Sequence, residues 1–270
     1  MNTNNNENKE TRGVTMLAEE RKQYIMNMLN EYGIVRVSDL SAQLNTTEAT
    51  IRRDLDDLQS KGMVTRVHGG AKSAISTGKK MTLQENIAKC AEEKKKIAQI
   101  AYRFISERDC IILDSSATVL ELAKLLRINP IKDLTLITPS FVIFNELVHE
   151  ESYTLIFVGG KYNRLLNSTA GILAQTVLEN IHVDKAFLGV AGLDPTYGFS
   201  GPYEEETGVK KCFVSNSNHQ YMLADHTKFC RTYLYRFASP DDVECIVTDA
   251  KPDRNVCEAF ETRNVKIICE

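Results

Sequence analysis

Two sets of residues in this 270-residue sequence have the types and spacing that chemistry needs. The first centres on Thr47-Glu48-Ala49-Thr50-Ile51-Arg52-Arg53-Asp54-Leu55 and closes with Arg66-Val67-His68-Gly69-Gly70. Ile51, Leu55 and Leu58 fall at i, i+4 and i+7, so they form the buried stripe of a helix. Thr47, Glu48, Thr50, Arg52 and Arg53 take the opposite face. A helix whose N-terminal half is exposed and basic suits the major groove of DNA. Ser38 reads as the cap of a shorter helix before it, with Leu40 and Leu44 inward. Asn45 and Thr46 interrupt, because their short polar side chains compete for the backbone. Thr47 then caps the second helix. Gly62 is expected to end it in a left-handed turn, Met63 to Val67 to form a strand, and Gly69-Gly70 a tight turn. The candidate DNA-contacting residues are therefore Ser38, Thr46, Thr47, Glu48, Thr50, Arg52, Arg53, Arg66 and His68.

The second set suits an anion. Asp114-Ser115-Ser116-Ala117-Thr118 follows an apolar run and opens a helix, where backbone N–H groups and hydroxyls converge. Thr138-Pro139-Ser140 repeats the arrangement. Asp225-His226-Thr227-Lys228 supplies a cation, and Glu206 and Lys210 lie four apart on one predicted helix. Each also has a plain structural reading: helix caps, an ordinary turn, or a surface i, i+4 pair worth only ~0.3 kcal/mol. By themselves these signals define an α/β domain with a candidate phosphate site.

The elements that must position these residues fall into two regions. Leu17 to Glu31 is an amphipathic helix ended by Gly33. From Met81 onward, apolar runs alternate with helical patterns. Predicted strands start at Cys110, Leu134, Tyr153, Lys185, Gln220, Cys245 and Val265. Predicted helices cover Glu85 to Ile105, Val119 to Leu126, the run through Phe144 and Leu147, and Glu204 to Ser215. That alternation implies a mostly parallel sheet covered on both faces. The expected organisation is a disordered tail over 1–15, a DNA-binding domain over 16–72, a linker over 73–82 and an α/β domain over 83–270. Hydrophobic residues make up 43% of the chain, enough for a core, and the net charge of -3 confines DNA binding to a local patch. Seven cysteines, with no C-x-x-C spacing, read as reduced thiols in a cytoplasmic protein. No apolar run is long enough to span a bilayer. No spacing calls for a metal or a cofactor, and five scattered histidines suggest no Ser-His-Asp arrangement.

Thr50-Ile51-Arg52-Arg53-Asp54-Leu55 and Arg66-Val67-His68-Gly69-Gly70-Ala71 resemble the winged helix-turn-helix of the DeoR family of bacterial transcription regulators. The region from 81 to 250 resembles the sensor domain of that family. Its matching blocks are Leu113 to Thr118, Leu134 to Ser140, Val158-Gly159-Gly160, Asp184 to Gly189, Glu206 with Val209-Lys210, Leu223 to Phe229, and Ile246 to Asp249. The resemblance implies a fold similar to ribose-5-phosphate isomerase and a phosphorylated sugar as effector. It implies a repressor of a carbohydrate operon that binds double-stranded operator DNA as a homodimer or homotetramer. The implied effector residues are Asp114, Ser115, Ser116, Thr118, Thr138, Ser140, Gly159, Gly160, Glu206, Lys210, Asp225 and Lys228. The chain departs from the family pattern at Ser116-Ala117, usually Gly then Thr or Ser, and at Pro139, usually Asn. The alternative is a sugar-phosphate isomerase with an accessory domain, in which Glu206 and Lys210 would serve as base and enediolate stabiliser. The closely spaced aspartates of such isomerases are missing at Asp184-Lys185-Ala186-Phe187, so a regulator is expected and not an enzyme.

Overall fold

The computed structural model describes residues 16–60, 63–73 and 80–270. The expected disordered tail, the Gly62 cap and most of the expected linker lie outside the described residues. In the N-terminal domain, α1 (Ala18–Tyr32) ends at Gly33, whose φ of 76° is left-handed. Next come β1 (Ile34–Arg36), α2 (Val37–Gln43), α3 (Glu48–Ser60), β2 (Val64–Val67) and β3 (Gly70–Ser73). The three strands form one antiparallel sheet in the order β1-β3-β2, the wing of a winged helix-turn-helix. Gly70 is needed there because a Cβ would stand 2.0 Å from the Val35 carbonyl oxygen.

Two local expectations differ from what is found. Thr47 caps α3, accepting from Thr50 N–H at 3.2 Å, but Ser38 does not cap α2. Arg36 holds the cap position because β1 stays extended to that residue to pair with β3, and Ser38 falls inside the first turn. The apolar stripe also carries a charge. Asp54 is 4% exposed and receives the Arg21 guanidinium through Nε to Oδ2 at 2.5 Å and Nη2 to Oδ1 at 3.0 Å. This fork joins α1 to α3 beside Ile25, Leu29, Leu40, Ile51 and Leu55.

The C-terminal domain begins with α4 (Leu83–Ala88) and α5 (Ala91–Tyr102). These replace the single helix expected over Glu85 to Ile105, because Cys90 takes a left-handed φ of 51° and turns the chain. Then follow β4 (Cys110–Leu113), α6 (Ala117–Ile128), β5 (Thr135–Thr138), α7 (Phe141–Leu147) and β6 (Thr154–Phe157). A hairpin of β7 (Lys161–Asn163) and β8 (Ser168–Ala170) leads to α8 (Ile172–Leu178) and β9 (Val183–Gly189). The remainder is β10 (Gly192–Asp194), β11 (Gly198–Gly201), α9 (Glu204–Ser215), β12 (Ser217–Leu223), β13 (Tyr235–Ala238), β14 (Cys245–Val247), α10 (Arg254–Glu261) and β15 (Lys266–Ile268).

Seven strands pair in the order β15-β14-β12-β9-β4-β5-β6, every pair parallel. Alternate residues serve two different cores, as the pleat requires. Ile111, Leu113, Leu136, Phe187, Tyr221 and Leu223 face α5, α6 and α7. Ile112, Ile137, Ala186, Leu188, Met222 and Ile246 face α8, α9 and α10. Both faces are buried, which is why these strands read as unbroken apolar runs. The hairpin and the small β10-β11-β13 sheet escaped the sequence reading because their strands are short and mix polar, small and charged residues, with no apolar run to mark them.

The two domains touch. Lys72 Nζ lies 3.0 Å from Asp194 Oδ2, Arg36 Nη2 lies 2.6 Å from Asp253 Oδ2, and Ile34 packs against the C-terminal core.

Removing one partner of a buried ion pair strands the other, at a cost of about 3–5 kcal/mol. Asp54→Ala is therefore expected to unfold the N-terminal domain selectively, read as lost amide-exchange protection in α1 and α3 with the seven-stranded sheet unchanged. Full protection in α1 and α3 of the variant would refute the structural role of the pair.

Candidate functional site

On the N-terminal domain, α3 presents Thr47, Glu48, Arg52 and Arg53 to solvent. Thr50 shares a 2.9 Å bond with the Thr47 hydroxyl, and Arg52 pairs with Glu48 at 2.7 Å. An exposed i, i+4 pair is worth only ~0.3–0.5 kcal/mol, so a phosphate can take Arg52 over at little cost. Arg66 reaches back from the wing to the Arg52 carbonyl at 3.1 Å and to Asp56 at 2.8 Å, setting the wing beside α3. His68 is exposed at the wing turn, and Ser38 is exposed on α2. Thr46 is half-buried in the turn between the helices, its N–H donating to the Ser41 carbonyl. The helix, the wing tip and the start of α2 thus offer one polar face.

In the C-terminal domain, the order of the sheet reverses between β9 and β4, and ligands in such sheets bind beyond the carboxyl ends at that point. Asp114 follows β4 and is 1% exposed. Its Oδ2 accepts from Gly189 N–H at 2.8 Å, its Oδ1 from Ser116 N–H at 2.8 Å, and Lys210 Nζ stands 2.9 Å away. Lys210 also donates to the Gly189 carbonyl at 2.5 Å and lies 3.2 Å from Glu206. Burial pushes the Lys210 ammonium down, but Asp114 and Glu206 outweigh it and hold the pKa above the usual lysine range. Burial raises the Glu206 carboxyl above its ordinary value, only partly countered by Lys210.

A cavity opens over this junction. Ser116, Ala117 and Thr118 at the start of α6 line it, and Ser116 caps that helix by accepting from Val119 N–H at 3.2 Å. Lys89, Lys94, Lys210, Lys228 and Arg231 also line it, against the single carboxylate Glu206 among the described residues. Lys89 and Lys94 both have pKa values below the ordinary, by burial first and then, for Lys89, by the Lys228 and Arg231 charges. Tyr203 closes one side, its hydroxyl donating to the Met81 carbonyl at 2.6 Å, and burial with the Glu206 charge pushes its pKa up to about 12. The wall is thus cationic, partly desolvated and capped by a helix N-terminus.

The expected residues divide here. Ser116, Thr118, Glu206, Lys210 and Lys228 face the cavity. Asp114, Ser115 and Asp225 lie behind it, each 5% exposed or less. Asp225 binds Thr227 through Oδ1 and pairs with Lys228 at 3.2 Å, and its Oδ2 has no hydrogen-bond partner among the described residues. Thr138, Ser140, Gly159 and Gly160 are not brought to this cavity. The β7–β8 hairpin fills the space over Thr138, Ser140 and Gly160: Thr169 bonds the Pro139 carbonyl, and a Cβ on Gly160 would stand 2.8 Å from the Ala170 oxygen, whereas Gly159 is exposed with open space beside it. Ser140 is simply the cap of α7, accepting from Ile143 N–H at 3.3 Å. Lys89, Lys94, Tyr203 and Arg231 were missed. Lys94 sits in a charged run, Glu92 to Lys96, that reads as a solvated helix face, and nothing in the spacing singles out the others.

Among the described residues no cluster of His, Cys, Asp or Glu is placed to hold a metal, and no helix is long and apolar enough to cross a membrane.

Lys210→Met would leave Asp114 buried without its cation and is expected to cost about 3–5 kcal/mol in urea unfolding. A cycle with Asp114→Asn should show coupling of about 0.5–3 kcal/mol. Strictly additive losses would mean that the two groups do not act as a unit.

Comparison with known proteins bears on both domains. Residues 21–77 match the DeoR-like helix-turn-helix domain, and residues 89–250 match the DeoR C terminal sensor domain. An uncharacterized HTH-type transcriptional regulator of Bacillus subtilis, YulB, is 36% identical over 93% of this chain and 96% of its own. The HTH-type transcriptional repressor GlcR of Bacillus subtilis is 29% identical over 94% of this chain and 96% of its own. Among solved structures, a D-ribose-5-phosphate isomerase in complex with phospho-erythronic acid is 20% identical, covering 52% of this chain and 54% of its own, with a TM-score of 0.38. YulB and GlcR are both named as transcriptional regulators, which favours the regulator over the isomerase alternative. With both domains matched in order and relatives aligned over nearly their full lengths, the chain belongs to the DeoR family of transcriptional regulators.

Proposed function

We propose that the chain is a repressor of a carbohydrate-catabolic operon, released from operator DNA by a phosphorylated sugar. The observation that carries this reading is the cavity where α6 begins, with five cationic side chains against one carboxylate. A phosphate seated there meets the N–H groups of Ala117 and Thr118, since that of Ser116 is held by Asp114, and the positive end of the α6 dipole. Lys94 and Lys228 add charge-assisted bonds, Lys210 contributes its charge from behind while its three N–H groups stay on Asp114, Glu206 and the Gly189 carbonyl, and Glu206 accepts from sugar hydroxyls. The name of the relative GlcR supports repression. Operators are read as paired half-sites about 10 bp or a multiple apart, so a homodimer or homotetramer suits one compact α3 per chain.

Binding changes nothing unless it favours one arrangement of the DNA-binding domains over another. A coupling of about 1–3 kcal/mol shifts operator affinity ~5–150-fold, and operator DNA must weaken effector binding by the same factor. A thermal-shift screen of phosphorylated sugars on the full chain, followed by titration with and without the upstream DNA, tests this. The best sugar phosphate should bind at least tenfold more weakly to Lys228→Met. If no phosphorylated sugar raises the melting temperature, the reading fails.

The DNA face has its own test. Arg52→Ala and Arg53→Ala are expected to weaken operator binding by ~1–3 kcal/mol each if the side chain grips a guanine, while melting stays within a degree or two of wild type. Normal gel shifts from both variants would remove these residues from the interface.

A further inference from the structure

Arg231 is 9% exposed and lines the cavity, yet among the described residues its buried Nε and Nη2 have no hydrogen-bond partner. Buried guanidinium groups are ordinarily paired, because the charged form is costly to desolvate alone. An acceptor that enters the cavity would supply that partner. The same residue also touches the DNA-binding domain. A Cβ on Gly33, the residue that ends α1, would stand 2.8 Å from Arg231 Cγ and 2.5 Å from the Phe229 carbonyl oxygen.

We propose that Arg231 binds the anionic or oxygen-rich end of the cavity's ligand, and that the segment Asp225 to Tyr233 passes occupancy on to the seat of α1. This rests on the sensor reading above and adds the residue that links the two domains.

The segment is built for one position at a time. Phe229 is buried in the core and bridges to Leu193, and Tyr233 N–H donates to the Ser200 hydroxyl at 2.9 Å. A Cβ on Gly192 would stand 2.6 Å from the Arg231 carbonyl oxygen, so β10 leaves the backbone no slack on that side. Cys230, between Phe229 and Arg231, holds a left-handed φ of 56°, a conformation that a residue with a Cβ adopts only when its surroundings impose it. Lys228, in the first half of the segment, faces the cavity as well. An anion that draws in the Arg231 fork pulls on a backbone packed directly beneath Gly33, and next to the Lys72–Asp194 contact that also joins the domains.

The test uses the full chain with inorganic phosphate, ribose 5-phosphate and glucose 6-phosphate as probes. The tightest probe should bind Arg231→Met at least tenfold more weakly than wild type, and Arg231→Lys should recover only part, since it keeps the charge and loses the fork. Hydrogen exchange on the unmodified protein gives a second readout that no folding defect can confound. Adding the probe should change exchange both in residues 226–233 and in residues 29–35. If wild type takes up none of these probes and no phosphorylated sugar of the thermal-shift screen, the sensor reading falls and this proposal with it. If wild type binds and Arg231→Met binds equally well, Arg231 is not a ligand residue and the sensor reading survives. If binding alters exchange around residues 114–118 and not in 29–35, the link to α1 is overturned.

Discussion

The C-terminal site depends on one buried carboxylate. Asp114 holds the ends of two neighbouring parallel strands together, accepting from the N–H of Gly189, the last residue of β9, and from Ser116 N–H at the start of α6. A charge that deep is tolerable only when paired and fully bonded. Lys210 supplies the pair from α9 and at the same time satisfies the Gly189 carbonyl. The result fixes the mouth of the sheet, the first turn of α6 and the cation over the cavity in a single geometry. Gly189 has no room for a side chain in that junction, since a Cβ would stand 2.2 Å from the Ser116 side chain.

The same device recurs in the N-terminal domain with another purpose. Arg21 and Asp54 form a forked, buried pair between α1 and α3. Asp54 belongs to the run Arg52-Arg53-Asp54, yet its neighbours point outward while it points in. The run is thus part surface and part scaffold: two arginines face solvent, and the aspartate holds the helix that carries them. Forked pairing suits this role, because it fixes the angle between helices as well as their separation.

Electrostatics divide the labour between the domains. With a net charge of -3 the chain has no general attraction for DNA, so DNA binding calls for a local patch, which the polar face around α3 and the wing can supply. The cavity concentrates positive charge where the chain as a whole does not, and burial strengthens each interaction within it. Lys89 and Lys94 reach it from either side of the left-handed break at Cys90, a bend that a continuous helix would not have made.

The sequence alone determined the elements with a strong period and the residues that punctuate them. The stripe Ile51, Leu55 and Leu58, the Thr47 cap, the Gly33 stop, the apolar strands and the helix Glu204 to Ser215 all follow from local rules of burial and capping. It also marked Ser116, Thr118, Glu206, Lys210 and Lys228, which stand at strand ends or four apart on a helix. Only the tertiary structure decided what those residues face. Thr138 and Ser140 have the same local signature as Ser116 and Thr118, yet a short hairpin covers them, and its strands have no apolar run to mark them. Lys94 reads as one solvated lysine among several until α5 is set against the sheet, where it becomes 4% exposed. Asp54 and Arg21 are 33 residues apart, and Arg231 meets Gly33 across nearly 200. A pattern in one dimension records how a segment turns and which side is apolar. It does not record which distant charge will be buried against it, because that is settled by the packing of whole elements.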